Sequence, residues 1–145
     1  MPEINYLAIA AAAIVPSILG AIYYGPLFGK QWLSSMGKTS EEMKPSNMGL
    51  TYGLALLMAV IVSFILKLNI ELTHKEVNDA GELIFGSFHT FKHGALHGAM
   101  TASFLVVPIL ISLSLFHKMS GKTIILNAIF WILCFAVMGG ILDAL

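Results

Sequence analysis

Three histidines spaced four residues apart, His89, His93 and His97, stand in the segment FHTFKHGALHG. On a helix of about 100° and 1.5 Å per residue they sweep roughly 80° of one face and climb about 12 Å. Neighbours such as His93 and His97 then lie ~6 Å apart along the axis, where two imidazoles can clasp one transition-metal ion. All three cannot reach one ion from a straight helix. A metal at His89, His93 and His97 therefore needs further ligands from another helix or subunit, because zinc takes four and copper or nickel a comparable set. The same residues have two other uses. They can hydrogen-bond to lipid headgroups, acids and backbone with no metal present, or, titrating near neutral pH, handle a proton or a small ligand. No cofactor is expected apart from such a transition metal.

The remaining candidates for chemistry are sparse. Cys134 is the single cysteine and sits in an apolar stretch, which excludes an intrachain disulfide and a cysteine-based zinc cluster. The eight methionines form no MxxM or MxM repeat and read as span filler, Met58, Met100 and Met138 among them. Neither a GxSxG elbow nor an HExxH helix occurs, so an enzyme would lack a nameable nucleophile. Small residues carry a different message. Gly94 and Gly98 form a GxxxG followed by Ala102, Gly49 and Gly53 form another, and Ala8, Ala12, Pro16 and Gly20 make a stripe. In lipid, helix association depends on close packing, which small residues permit. Such stripes serve packing within the chain or a seam between copies.

The elements that hold these residues follow from composition. Of the 145 residues, 57% are hydrophobic and 11% charged, with mean hydropathy +0.84. Soluble domains carry about 25% charged residues, and this chain has too little polar surface to coat a water-soluble globule. Eight lysines balance eight acids and there is no arginine, so the concentrated basic face of a nucleic-acid binder is missing. The apolar residues fall into four blocks, at about 5–24, 48–68, 96–116 and 123–142, each near the ~20 residues that cross a hydrocarbon core. The first block has no basic residue before it and continues past its alanines, and so reads as a retained span, not a cleaved signal. The expected fold is an all-α integral membrane protein, one domain over 1–145, built as an antiparallel up-down four-transmembrane-helix bundle.

The connections are 25–47, 69–95 and 117–122. Gly25-Pro26 should end the first helix and Pro16 kink it; the following LFGKQWLSSMG is expected to lie along the membrane surface. Tyr23, Tyr24 and Trp32 read as interface anchors in the headgroup zone. Ser46 or Asn47 can cap the second helix, and Lys67 at its end is expected to snorkel outward. Asp79 with Glu82 three residues later suggests the start of a long third helix, kinked near Pro108. Antiparallel order brings the histidine end onto the same membrane face as Glu3, Asn5, Asn69, Glu71 and Asp143, where a carboxylate can support an imidazole cation or a metal. The deep polar residues are Ser17, Ser63, Thr101, Ser103 and Asn127, and hydroxyls at that depth are expected to bond to their own helix backbone, which argues against a transport site at the midplane. Lys30, Lys38, Lys44, Lys118 and Lys122 outnumber Lys67, Lys75 and Lys92, which favours cytoplasmic first and third loops and both termini outside.

Several blocks together resemble the family of small four-span bacterial membrane proteins known as domain of unknown function 1761. They are GAIYYGPLFGKQW, MGKTSEEMK, FKHGALHG with its downstream Pro108, and FHKMSGKTIILNAIFWILCFAVMGGIL. Tyr23-Tyr24 stands where that family often has a Trp-Tyr pair. The resemblance implies a bacterial cytoplasmic (inner) membrane location and imports no activity. From the residues, the expected function is non-enzymatic, acting through helix packing as a homo-oligomer or as an accessory subunit of a membrane complex. The alternative is metal or small-molecule handling at the histidine-lined membrane edge of the third helix.

Overall fold

The computed structural model describes residues 5–73, 75–85 and 89–145. Four apolar helical stretches long enough to cross a bilayer run Tyr6–Leu27, Met48–Thr73, Phe91–Phe116 and Gly121–Ala144. With their apolar side chains turned outward, these helices make the chain an all-α, multi-pass membrane protein whose surroundings are lipid. Its elements are α1 (Tyr6–Ile22), a π-helical turn (Tyr23–Leu27), α2 (Gly29–Met36), α3 (Met48–Thr73), β1 (Lys75–Val77), β2 (Leu83–Phe85), α4 (Phe91–Thr101), a second π turn (Ala102–Val106), α5 (Val107–Phe116) and α6 (Gly121–Ala144).

Helix starts follow local side-chain chemistry. Asn5 accepts from the Ala8 amide, Asn47 from Leu50, Thr90 from His93 and Ser120 from Thr123, each satisfying an amide that a first helical turn leaves without a partner. The expected helix start at Asp79 and Glu82 is corrected: β1 and β2 pair antiparallel there, with Val77 opposite Leu83. Asn78 closes the turn by accepting from the Ala80 and Glu82 amides, and Gly81 supplies its positive φ of 80°. The third span begins at Phe91 instead. Its irregular stretch is the π turn just before Pro108, which falls in the first turn of α5 and so costs that helix no internal hydrogen bond.

Helix α6 is the common wall of the bundle: α1, α3, α4 and α5 all pack on it, and the second and third spans meet only marginally. Its buried face includes Leu126, Phe130, Cys134, Phe135, Met138 and Leu142. The closest packing is against α4. A β-carbon at Gly94 would collide with the Gly139 carbonyl and the Asp143 β-carbon, and one at Gly98 with the Phe135 carbonyl. Ala102, one turn on, is fully buried. The stripe Gly94, Gly98 and Ala102 is thus consumed within the chain. The other stripe is not: nothing lies within 4 Å of a β-carbon at Gly53, and only the Asn47 side chain lies near one at Gly49. On α1, Ala8 and Ala12 are fully buried.

Gly98→Ala should therefore destabilise the protein by roughly 1–3 kcal/mol through overpacking of α4 on α6, whereas Gly53→Ala should be neutral or stabilising by up to about 1 kcal/mol through helix propensity. Thermal unfolding of the two variants in the same detergent checks the contrast; equal losses would refute it.

Candidate functional site

Polar side chains gather at the end of the bundle formed by the start of α1, the C-terminal turns of α3 and α6, and the start of α4. Asp143, the penultimate residue of α6, is fully buried. One carboxylate oxygen lies 2.8 Å from His89 Nδ1 and the other accepts from the Thr90 amide at 3.3 Å. The carboxylate thus sits at the N-terminus of α4, where the helix dipole favours negative charge. Gly94 makes this possible, since any larger residue would hold the Asp143 β-carbon away.

One turn further along α4, His93 and His97 meet: their Nε2 atoms are 3.2 Å apart, with ring centroids 4.6 Å apart and planes at 83°. Without an ion this is a hydrogen bond in which one ring donates its only Nε2 proton to the other. The same separation suits two nitrogen ligands of one metal, because bonds of about 2.0–2.1 Å at a tetrahedral angle leave ligand atoms roughly 3.3 Å apart. Thr101 bonds back to the His97 carbonyl at 2.8 Å. Among the described residues no three His, Cys, Asp or Glu side chains converge as a metal site; His93 and His97 form a pair, while His89 is joined to Asp143.

Across the cluster, Lys67 corrects its sequence reading. It does not snorkel. Helix α3 continues beyond it to Thr73, and the ammonium is buried, donating to the Leu142 carbonyl at 2.7 Å and lying 3.7 Å from Glu71 Oε1. Leu142 is in the last turn of α6, whose carbonyls lack helical donors, so the cation meets the negative end of that helix. Asn5 covers the same end by donating to the Leu145 carbonyl at 2.8 Å. Of the expected companions of the histidine end, Asp143 is bonded to His89, Glu71 forms an ion pair with Lys67, and Asn5 caps α6. Asn69 contributes its carbonyl to the Thr73 hydroxyl, and Glu3 lies outside the described residues.

The aromatic residues gather at the other end. Tyr23 is buried and donates to the Leu126 carbonyl at 3.0 Å; the Tyr24 hydroxyl and Trp32 indole both donate to Asn127 Oδ1, at 2.8 and 3.2 Å. The anchoring read from these rings is directed at α6. The two tyrosines bond to adjacent residues of the same helix, Leu126 and Asn127, just where the chain enters a π turn, with Phe28 N bonded to Tyr23 O at 2.8 Å and Gly25 off helical dihedrals. Helix α2 is tied down by a hydroxyl chain. Ser35 donates to the Trp32 carbonyl, so Thr123 must donate to Ser35 and Ser120 to Thr123, over 2.7–2.8 Å. Of the deep polar residues, the hydroxyls of Ser63 and Thr101 bond to their own helix backbone as expected, and the Asn127 amide oxygen is the acceptor for Tyr24 and Trp32.

A family model described as a protein of unknown function (DUF1761) matches residues 7–143, which takes in all four spans. The chain belongs to that family. No curated protein and no solved structure matches it. For this DUF1761 chain the chemistry therefore rests on the side chains themselves, and the buried charges are the strongest pointer, since ionisable groups inside a membrane bundle are costly unless they serve a purpose.

The Lys67–Glu71 pair gives a direct check. Lys67→Met should destabilise the fold by about 3 kcal/mol by leaving Glu71 buried without its cation, while Lys67→Met with Glu71→Leu should recover most of the loss. Unfolding of the single and double variants in detergent reads this out; a double variant no better than the single one would show that charge pairing is not what holds the two residues.

Proposed function

We propose that this membrane protein handles a small cation at its histidine end, with a divalent transition-metal ion held between His93 Nε2 and His97 Nε2. The observation that carries the reading is the 3.2 Å separation of those two nitrogens, which suits adjacent positions of a tetrahedral shell. The His89–Asp143 pair supports it by fixing the first turn of α4 on α6, and with it the direction of the helix that carries both ligands. The remaining coordination positions go to water, to a carrier ligand or to a second chain. Open positions of this kind suit an ion that is received and passed on, not one that is locked in place.

A second reading, self-association or docking as an accessory subunit through helix packing, is supported by one feature. Gly49 and Gly53 lie on α3 with open space before them, as the contact face of a membrane helix requires. The family resemblance supports a bacterial cytoplasmic membrane location, and the lysine distribution supports first and third loops inside and both termini outside.

Purified protein, stripped with chelator and titrated with Zn²⁺ or Co²⁺ in detergent, should bind about one equivalent per chain, and cobalt should show the intense visible bands of a low-coordinate site. His93→Ala with His97→Ala should remove that binding, with at least a hundredfold loss in affinity. Binding that is absent in the parent, or unchanged in the double variant, would overturn the reading.

A further inference from the structure

Away from the histidine end, the bundle leaves an open-sided cavity of about 730 Å³ between the second half of α1, the first half of α3, α2 and the middle of α6. Its origin is visible in the burial pattern. Helix α3 buries Ala59, Ser63, Leu66, Lys67, Ile70 and Glu71 against the bundle, none of them before residue 59, whereas residues 48–58 are exposed throughout. The first half of α3 thus stands off from α6, and the space is walled by Tyr24, Trp32, Tyr52, Phe130 and Trp131. Tyr52 is 60% exposed, so the cavity opens to the outside of the bundle, which at this depth is lipid.

Two features of the wall specify an occupant. First, it is aromatic: five rings surround one space, and rings prefer edge-to-face and offset contacts with other rings, whereas a flexible acyl chain gains nothing from that geometry. Second, it carries hydroxyls that a bound molecule can reach. Ser63 and Thr101 bond back to their own helices, whereas Ser17, beside Pro16 on the cavity wall, and Tyr52 are both exposed and bonded to no described residue. A pocket of several hundred Å³ with apolar walls and a few polar groups is the usual form of a small-molecule site. We propose that this cavity binds a planar, membrane-soluble ring compound bearing a ring carbonyl, of quinone-like chemistry, which enters from the bilayer, stacks among the rings and accepts a hydrogen bond from Ser17. It is a binding site; no electron transfer is implied.

The chain's two tryptophans, Trp32 and Trp131, both line the cavity, so its intrinsic fluorescence reports occupancy. Protein in lipid nanodiscs free of quinone is titrated with decylubiquinone. The wild-type chain should show saturable quenching that removes more than half of the emission. Ala55→Phe, which fills the cavity from the exposed face of α3, should abolish the saturable part. Ser17→Ala, which leaves the packing intact, should raise the half-saturation concentration roughly five- to tenfold, the effect of one neutral hydrogen bond. Quenching that only rises linearly in the wild-type chain, saturable quenching unchanged in both variants, or native mass spectrometry showing a phospholipid in the cavity that the quinone does not displace would each overturn the proposal.

Discussion

Backbone lies against backbone where α4 crosses α6. Gly94 and Gly98 on one helix face Gly139 and the Phe135 carbonyl on the other, with no room for a single side-chain carbon at either α4 glycine. In lipid there is little hydrophobic gain in joining two apolar helices, so packing and polar contact must supply the association. Close approach supplies both here. It brings two main chains together along their length and lets the buried carboxylate of Asp143 reach the start of α4, where His89 and the Thr90 amide receive it. The histidine pair inherits its position from that junction, since His93 and His97 immediately precede Gly94 and Gly98 on the same helix.

Helix α6 then acts as the reference for everything else. Its C-terminal carbonyls, which a helix cannot satisfy itself, are met by Lys67 and Asn5 from two other helices. Nearer its N-terminus it presents the Leu126 carbonyl and the Asn127 amide to Tyr23, Tyr24 and Trp32. Polar bonds at both ends fix its axial position, and the aliphatic and aromatic side chains between them fill the core. A span with hardly any amphipathic asymmetry is thereby held in one register by a few hydrogen bonds that water cannot compete for.

Much of this fold is written in the sequence, because long apolar runs have only one use in a chain with so few charges. The four spans, the cap at Asn47 and the meeting of Asp143 with the histidine end all follow from hydropathy, local cap chemistry and antiparallel order. What escaped did so for identifiable reasons. Asp79 and Glu82 look like the first turn of a helix, yet Asn78 before them and Gly81 between them supply turn chemistry, and residues 75–77 and 83–85 on either side pair as a hairpin. Lys67 was placed at a helix end that lies six residues further on, so its ammonium falls inside the bundle. The aromatic cavity depends on how far α3 stands from α6, a tertiary distance that no local pattern encodes. The π turn that begins at the two tyrosines has the Gly25-Pro26 pair as its only outward sign.

Each π turn holds one residue more than an α-helix would place in the same length, so an α-helical count carried through it goes out of phase by about 100°. The segment at Ala102–Val106 inserts that offset in the middle of the third span. Residues before it and residues after it therefore obey different phases: the glycine-histidine face of α4 cannot be extended by counting through to α5. Deleting one residue within this turn would leave an unbroken α-helix whose two halves keep their faces, whereas deleting one from the regular helix on either side would swing the flanking halves apart by about 100°. The place of that extra residue is thus a constraint on the molecule that hydropathy does not register.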